Sequence, residues 1–152
     1  KKQGRAEEAE RGLRAALAIA HDLGDRANEA AWAGTLGEFL ASQRRYAEAE
    51  RLLAGALASH RALKNARLEG AQLLALAEVQ SATGRPGEAE QSLRYSIGLL
   101  RGVHFAHAEA AACRGLAALL RERRPGDAAA FAEAVAVEAR ANEIDPHKEP
   151  RP

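Results

Sequence analysis

The chain repeats itself every 40 residues, and that period limits its fold more than any other feature. Gly4-Arg5-Ala6-Glu7-Glu8-Ala9-Glu10 returns as Arg44-Arg45-Tyr46-Ala47-Glu48-Ala49-Glu50 and again as Gly84-Arg85-Pro86-Gly87-Glu88-Ala89-Glu90. A worn fourth copy begins at Arg124-Pro125-Gly126-Asp127-Ala128, about one residue out of register. Other columns agree at the same spacing: Glu29, Glu69 and Glu109; Leu36, Leu76 and Leu116; the small residues Gly37, Ala77 and Ala117; the apolar Phe39, Val79 and Leu119. A fixed period of this length marks an array of supersecondary units, each too small to bury its apolar face alone.

Each unit holds two helical patterns. The first covers roughly 27–43, 67–83 and 107–122, with apolar positions at Trp32, Leu36, Phe39 and Leu40, then Leu73, Leu76 and Val79, then Cys113, Leu116, Leu119 and Leu120. Spacings of three and four set these on one helix face. The second covers roughly 5–23, 46–63, 86–101 and 126–143, with a stripe at Ala9, Leu13, Ala16 and Leu17 that recurs as Ala49, Leu53, Ala56 and Leu57. Seven helices follow, beginning with the second helix of a partial unit. Composition agrees: 38 Ala and 19 Leu stand against nine Val, Ile and Thr together, which favours helix over sheet.

Pro86 and Pro125 fall where helices are expected to begin, a position that needs no backbone donor. Gly24 and Gly84 fall just past helix ends, where a left-handed residue is wanted. Gly12, Gly34, Gly37, Gly55, Gly70, Gly98 and Gly115 lie inside helices, each at about 1 kcal/mol relative to Ala. Close helix approach explains some of them, Gly37 first; drift in an Ala- and Gly-rich chain is the alternative. Trp32 is expected in the core, against the first helix; the alternative is an exposed anchor for a partner.

The expected domain runs over 1–145, with units at about 4–23 (partial), 24–63, 64–103 and 104–143. The tail 146–152, Pro-His-Lys-Glu-Pro-Arg-Pro, is expected to be a disordered tail or linker. The absence of any Met, at position 1 included, suggests a piece of a longer protein.

The chemistry-bearing residues are few. A single Cys excludes a disulfide framework and a multi-Cys zinc site. His104-x-x-His107 has marginal spacing for metal ligands, and Cys113 sits in a core column, so no metal or cofactor is expected. No nucleophile elbow or phosphate-binding loop occurs, and no enzymatic activity is expected. The net charge of +1 argues against a dedicated nucleic-acid binder. No apolar run reaches membrane-spanning length and no signal peptide is visible, which suits a cytoplasmic chain.

The repeat resembles the tetratricopeptide repeat (TPR), whose pattern sets Trp, Leu-Gly and Tyr on a first helix and Ala and Phe four apart on a second. Here it reads Ala33-x-x-Leu36-Gly37-x-x-Leu40 and Ala49-x-x-x-Leu53, then Leu73-x-x-Leu76-Ala77-x-x-Gln80 and Ala89-x-x-x-Leu93, then Cys113-x-x-Leu116-Ala117-x-x-Leu120. The period departs from the usual 34 and is similar to the longer-helix branch found in kinesin light chains and in large bacterial ATPase-type transcription regulators. The resemblance implies an all-α, right-handed α-solenoid of seven antiparallel helices, about three and a half helix-turn-helix units.

It also implies a concave face, lined by the first helix of each unit, that binds a protein or peptide segment. The positions turned toward it are Ala31, Gly34, Thr35, Glu38 and Ser42, then Ala71, Leu74, Ala75 and Glu78, then Arg114 and Arg121. The first two thirds are small and mildly acidic, the last third basic. The Lys/Asn/Arg clamp by which some family members grip a chaperone C-terminus is missing: Gly34, Glu38, Ala75, Ala111 and Gly115 occupy those places. The leading expectation is therefore a non-catalytic binding scaffold, one arm of a multidomain regulatory protein, whose partner comes from another chain or the same one. The alternatives are a self-association module forming a homo-oligomer and an effector-sensing arm of a signalling ATPase or transcription regulator.

Overall fold

The computed structural model describes residues 2–146, with side chains from residue 4 onward. Seven helices succeed one another: α1 (Lys2–Asp22), α2 (Arg26–Ser42), α3 (Tyr46–Ala62), α4 (Ala66–Ala82), α5 (Pro86–Gly102), α6 (Ala106–Arg123) and α7 (Ala128–Ile144). No strand occurs among the described residues. The architecture is an all-α antiparallel solenoid of TPR-like character. Most of the tail lies outside the described residues.

The helices are nearly equal because one turn closes five of them. After each of α1 to α5 a residue enters the left-handed region: Gly24, Arg44, Lys64, Gly84 and His104, with φ between 54° and 78°. The residue after it donates its backbone N–H back to the helix, as Asp25 to Ala20 O at 3.0 Å, Arg45 to Leu40 O at 2.9 Å and Phe105 to Leu100 O at 2.9 Å. This Schellman closure satisfies carbonyls that the helix end would leave open. Gly24 and Gly84 stand where the sequence placed them. Asp25, Asn65 and Asp127 cap the helices that follow by accepting backbone N–H groups. Pro86 begins α5 as expected, but Pro125 does not begin a helix: it lies in the turn before Asp127, because the Asp cap sets the start of α7 at Ala128.

Each helix packs against its neighbours in sequence. In addition α2 meets α4 and α4 meets α6, whereas the backbones of α1, α3, α5 and α7 stay apart and these helices meet only through long side chains, as Arg14 with Glu48. The array therefore curves, with α2, α4 and α6 on its inner side. Two apolar clusters fill it. One joins Leu36, Leu40, Leu53, Leu76 and Val79; the other joins Leu93, Leu100, Cys113, Leu116 and Leu120. Helix α4 contributes to both, so the core runs through the whole array.

The glycines divide into two kinds. A Cβ at Gly37 would lie 2.8 Å from Leu53 Cγ, and one at Gly70 would lie 2.7 Å from Leu100 Cγ. These two let helices close in. Gly12, Gly55 and Gly98 meet nothing within 4 Å.

Trp32 departs from expectation. It is 39% exposed on α2, not buried in the core. Its counterparts one and two periods on, Gln72 and Ala112, are buried where successive inner helices meet. Trp32 occupies the same position on α2, where none of the described inner helices covers it.

The repeated Arg-Glu motif acquires a physical meaning. Arg45 Nη1 reaches Glu10 at 2.7 Å and Arg85 Nη1 reaches Glu50 at 2.8 Å, while Arg123 and Arg124 both pair with Glu90. The arginine of each copy thus meets the final glutamate of the copy before. A second ladder ties each outer helix to the next inner one: His21 to Glu29 at 2.8 Å, Arg61 to Glu69 at 2.9 Å and Arg101 to Glu109 at 2.9 Å.

Candidate functional site: the concave face

Two clefts lie along the inner side. The first, of about 410 Å³, is lined by Glu38, Ala41, Ser42 and Tyr46 from α2 and α3, and by Ala71, Leu74, Ala75, Glu78, Val79 and Ala82 from α4. The second, of about 380 Å³, runs on from it between α4 and α6 and includes Ser81, Leu93, Ala111, Gly115, Ala118, Leu119 and Glu122. They share Leu74, Glu78 and Ala82. Together they form a continuous trough across three inner helices, floored by Ala and Leu and edged by carboxylates.

Six of the residues expected at the groove, Glu38, Ser42, Ala71, Leu74, Ala75 and Glu78, line these clefts. Gly34 is buried against the side chain of Gln72, where any Cβ would clash at 2.5 Å. Thr35 donates its hydroxyl to the Ala31 carbonyl at 3.0 Å. Arg114 donates to the Asp145 carbonyl and lies 3.6 Å from its carboxylate, and Arg121 pairs with Glu138 at 2.5 Å. Both arginines are thus engaged toward the C-terminal end of the array, and neither lines a cleft. Tyr46 belongs to an outer helix, so reading the inner helices alone misses it. Its position, first in α3 and next to the left-handed Arg44 turn, brings it to the rim.

The electrostatics of the trough differ from those elsewhere. On the edges and outer side Glu10, Glu48, Glu50, Glu69, Glu90, Glu109, Glu133 and Glu138 each meet an arginine within 4 Å. In the trough Glu38, Glu78 and Glu122 make no ion pair among the described residues. Glu38 accepts only a long hydrogen bond from Gln72 Nε2, at 3.4 Å. The side chains of Glu38 and Glu78 stay open to solvent, yet the protein wall around them removes enough water to hold both carboxyls above the usual range. The proximity of Glu78 adds to this at Glu38.

Among the described residues no group of three or more His, Cys, Asp or Glu side chains is placed to hold a metal ion. No helix among the described residues is long and apolar enough to cross a membrane. Cys113 is buried in the core, and burial raises its thiol pKa, which makes it an inert packing residue.

No family model matches the chain, and no curated protein does. Among solved structures, the crystal structure of BtubC (BKLC) from P. vanneervenii is similar over 98% of this chain, with a TM-score of 0.77 and 18% sequence identity. The chain spans 62% of the length of that one. At such identity the likeness is one of fold.

Proposed function

We propose that the chain is a non-catalytic protein-binding module whose concave trough takes up a basic segment of a partner. One observation carries this reading: Glu38, Glu78 and Glu122 line a continuous apolar trough and lack the arginine partners that most other carboxylates have. Their raised affinity for protons, at Glu38 and Glu78, marks a place where a positive charge is welcome. A peptide that buries apolar side chains among the alanines and offers Lys or Arg to these carboxylates would supply it. The long period and equal helices support placing the chain with the long-helix branch of the repeat family, as one arm of a larger regulatory protein.

Selection from a displayed random peptide library tests the trough. Enriched peptides should carry Lys or Arg, bind more weakly as salt rises, and lose at least tenfold in affinity to Glu38→Lys/Glu78→Lys. Enrichment of acidic or purely apolar peptides, or unchanged binding by that variant, overturns it.

A second reading, self-association, is favoured by a separate observation. Both ends of the array expose large apolar side chains: Ile19, Leu23 and Trp32 at the first, Phe131 and Val135 at the last. Exposed apolar side chains of this size, gathered in a patch, mark a surface that can meet a protein. Solution mass measured across concentration distinguishes the readings. A concentration-dependent oligomer that Trp32→Lys or Phe131→Lys returns to monomer supports self-association; a monomer at all concentrations removes it.

A further inference from the structure

A larger cleft, of about 850 Å³, lies on the other side of the molecule, between α1 and α3 with α2 as its floor. The repeat explains why it is open. One period on, the equivalent positions on α4 and α5 carry Tyr95, whose ring lies 5.8 Å from the Arg61 guanidinium of α3, and Leu73 and Leu99. The matching positions of the first cleft are Gly55, Ala33 and Ser59. An aromatic ring and two branched apolar side chains are replaced by three small residues. Gly55 is not required for helix packing, since a Cβ there would meet nothing within 4 Å. The volume falls within the ~300–1,000 Å³ usual for small-molecule sites.

The charge at the rim is uneven. Each of α1 and α3 runs antiparallel to α2, so the two are parallel to each other. Arg14 and Arg51 therefore stand toward one end of the cleft, and His21, Asp22, Arg26 and Glu29 toward the other. At the second end the charges nearly balance, and His21 is hydrogen-bonded to Glu29 at 2.8 Å. At the first end Arg14 is engaged by Glu10 and Glu48, while Arg51 makes no ion pair among the described residues. Between the ends lie Leu17, Leu52 and Ala56.

We propose that this outer cleft is a binding site for a small aromatic anion, its ring seated over Gly55 where Tyr95 sits one period later and its acid group turned toward Arg51. The site is independent of the concave trough, and a ligand here would bridge α1 and α3, which otherwise meet through side chains such as Arg14 and Glu48 at one end of the cleft.

The probe is 1-anilinonaphthalene-8-sulfonate, an aromatic sulfonate, titrated by fluorescence and calorimetry against the whole chain. Saturable one-to-one binding is expected. Gly55→Tyr/Ser59→Leu, which copies the filled cleft, should weaken it at least tenfold, and Arg51→Glu at least fivefold. Phe131→Ser, at the far end of the array, should leave it unchanged. Circular dichroism checks that each variant folds; if the filled variant does not, the exposed Arg51→Glu decides. Binding that does not saturate, that Arg51→Glu leaves intact, or that Phe131→Ser abolishes overturns the proposal.

Discussion

At the scale of single residues, His60 shows most clearly how a column constrains its members. It is buried in the column that carries Ala20 before it and Leu100 after it, and neither ring nitrogen meets a hydrogen-bond partner among the described residues. Burial lowers its pKa, against a smaller opposing effect of Glu69. The unfolded chain therefore binds a proton that the folded chain refuses, and stability falls as pH drops below the unfolded value of about 6.5. His60→Leu should raise the urea midpoint at pH 7 and flatten its decline between pH 7 and 5. The glycines give a second pair of outcomes. Gly37→Ala should lower stability by about 1–3 kcal/mol, because Leu53 and the Ala49 carbonyl oxygen stand in the way. Gly98→Ala, with open space around it, should raise stability by about 0.5–1 kcal/mol. Thermal unfolding of the two variants checks both signs. The close approach at Gly37 was legible in the sequence, because a Leu-Gly pair on the buried stripe leaves little else for the glycine to do. The exposure of Trp32 was not, since hydrophobicity indicates that a side chain seeks cover but not whether a neighbour is there to give it.

At the scale of elements, the ladders explain what the repeated motif is for. Its Arg and Glu columns join one unit to the next. The periodicity that fixed the helices carried no signal for this, because the pairing links residues 33 to 35 apart with most of an inner helix between them. An exposed pair of this kind contributes modestly, so a double-mutant cycle on Glu50 and Arg85 should give a coupling of about 0.2–1 kcal/mol, reduced by salt. The second ladder has one titratable rung. His21 stands where Arg61 and Arg101 stand later, and its hydrogen bond to Glu29 raises its pKa. A raised value means the rung stabilises fully below the unfolded pKa and fades as pH rises through the folded one. His21→Arg should keep the rung closed at pH 8, read as slower amide exchange in the turn at residues 23–25. Helix limits were read to within a residue or two for α2 to α6, since left-handed residues recur every 20 positions. Three of them are not glycine: Arg44, Lys64 and His104. Lys64→Gly should therefore stabilise by up to about 1 kcal/mol, measured by denaturant midpoint.

At the scale of the whole molecule, the sequence made the array legible and left its surfaces half-read. Glu38 and Glu78 were found because they share a column on the inner helices. That these two and Glu122 go without arginines, while most other carboxylates have them, emerged only when the partners of the other carboxylates were in place. The outer cleft was invisible for a related reason: it is made by side chains that are missing, and the deficit shows only when Ala33, Gly55 and Ser59 are set beside Leu73, Tyr95 and Leu99 in three dimensions. Because no described helix reaches beyond its second neighbour along the chain, distant sites should be energetically separate. Leu36→Ala and Leu116→Ala lie in different apolar clusters, and their combined effect on unfolding should equal the sum of the single effects to within about 0.3–0.5 kcal/mol.

The short turns between equal rods have a consequence for how the protein comes into being. Each pair of rods can clasp as soon as the later one has been synthesised, because nothing it needs lies far downstream. Such a chain has low contact order and folds quickly. It would leave the ribosome already partly assembled, growing rod by rod in the order in which it is translated.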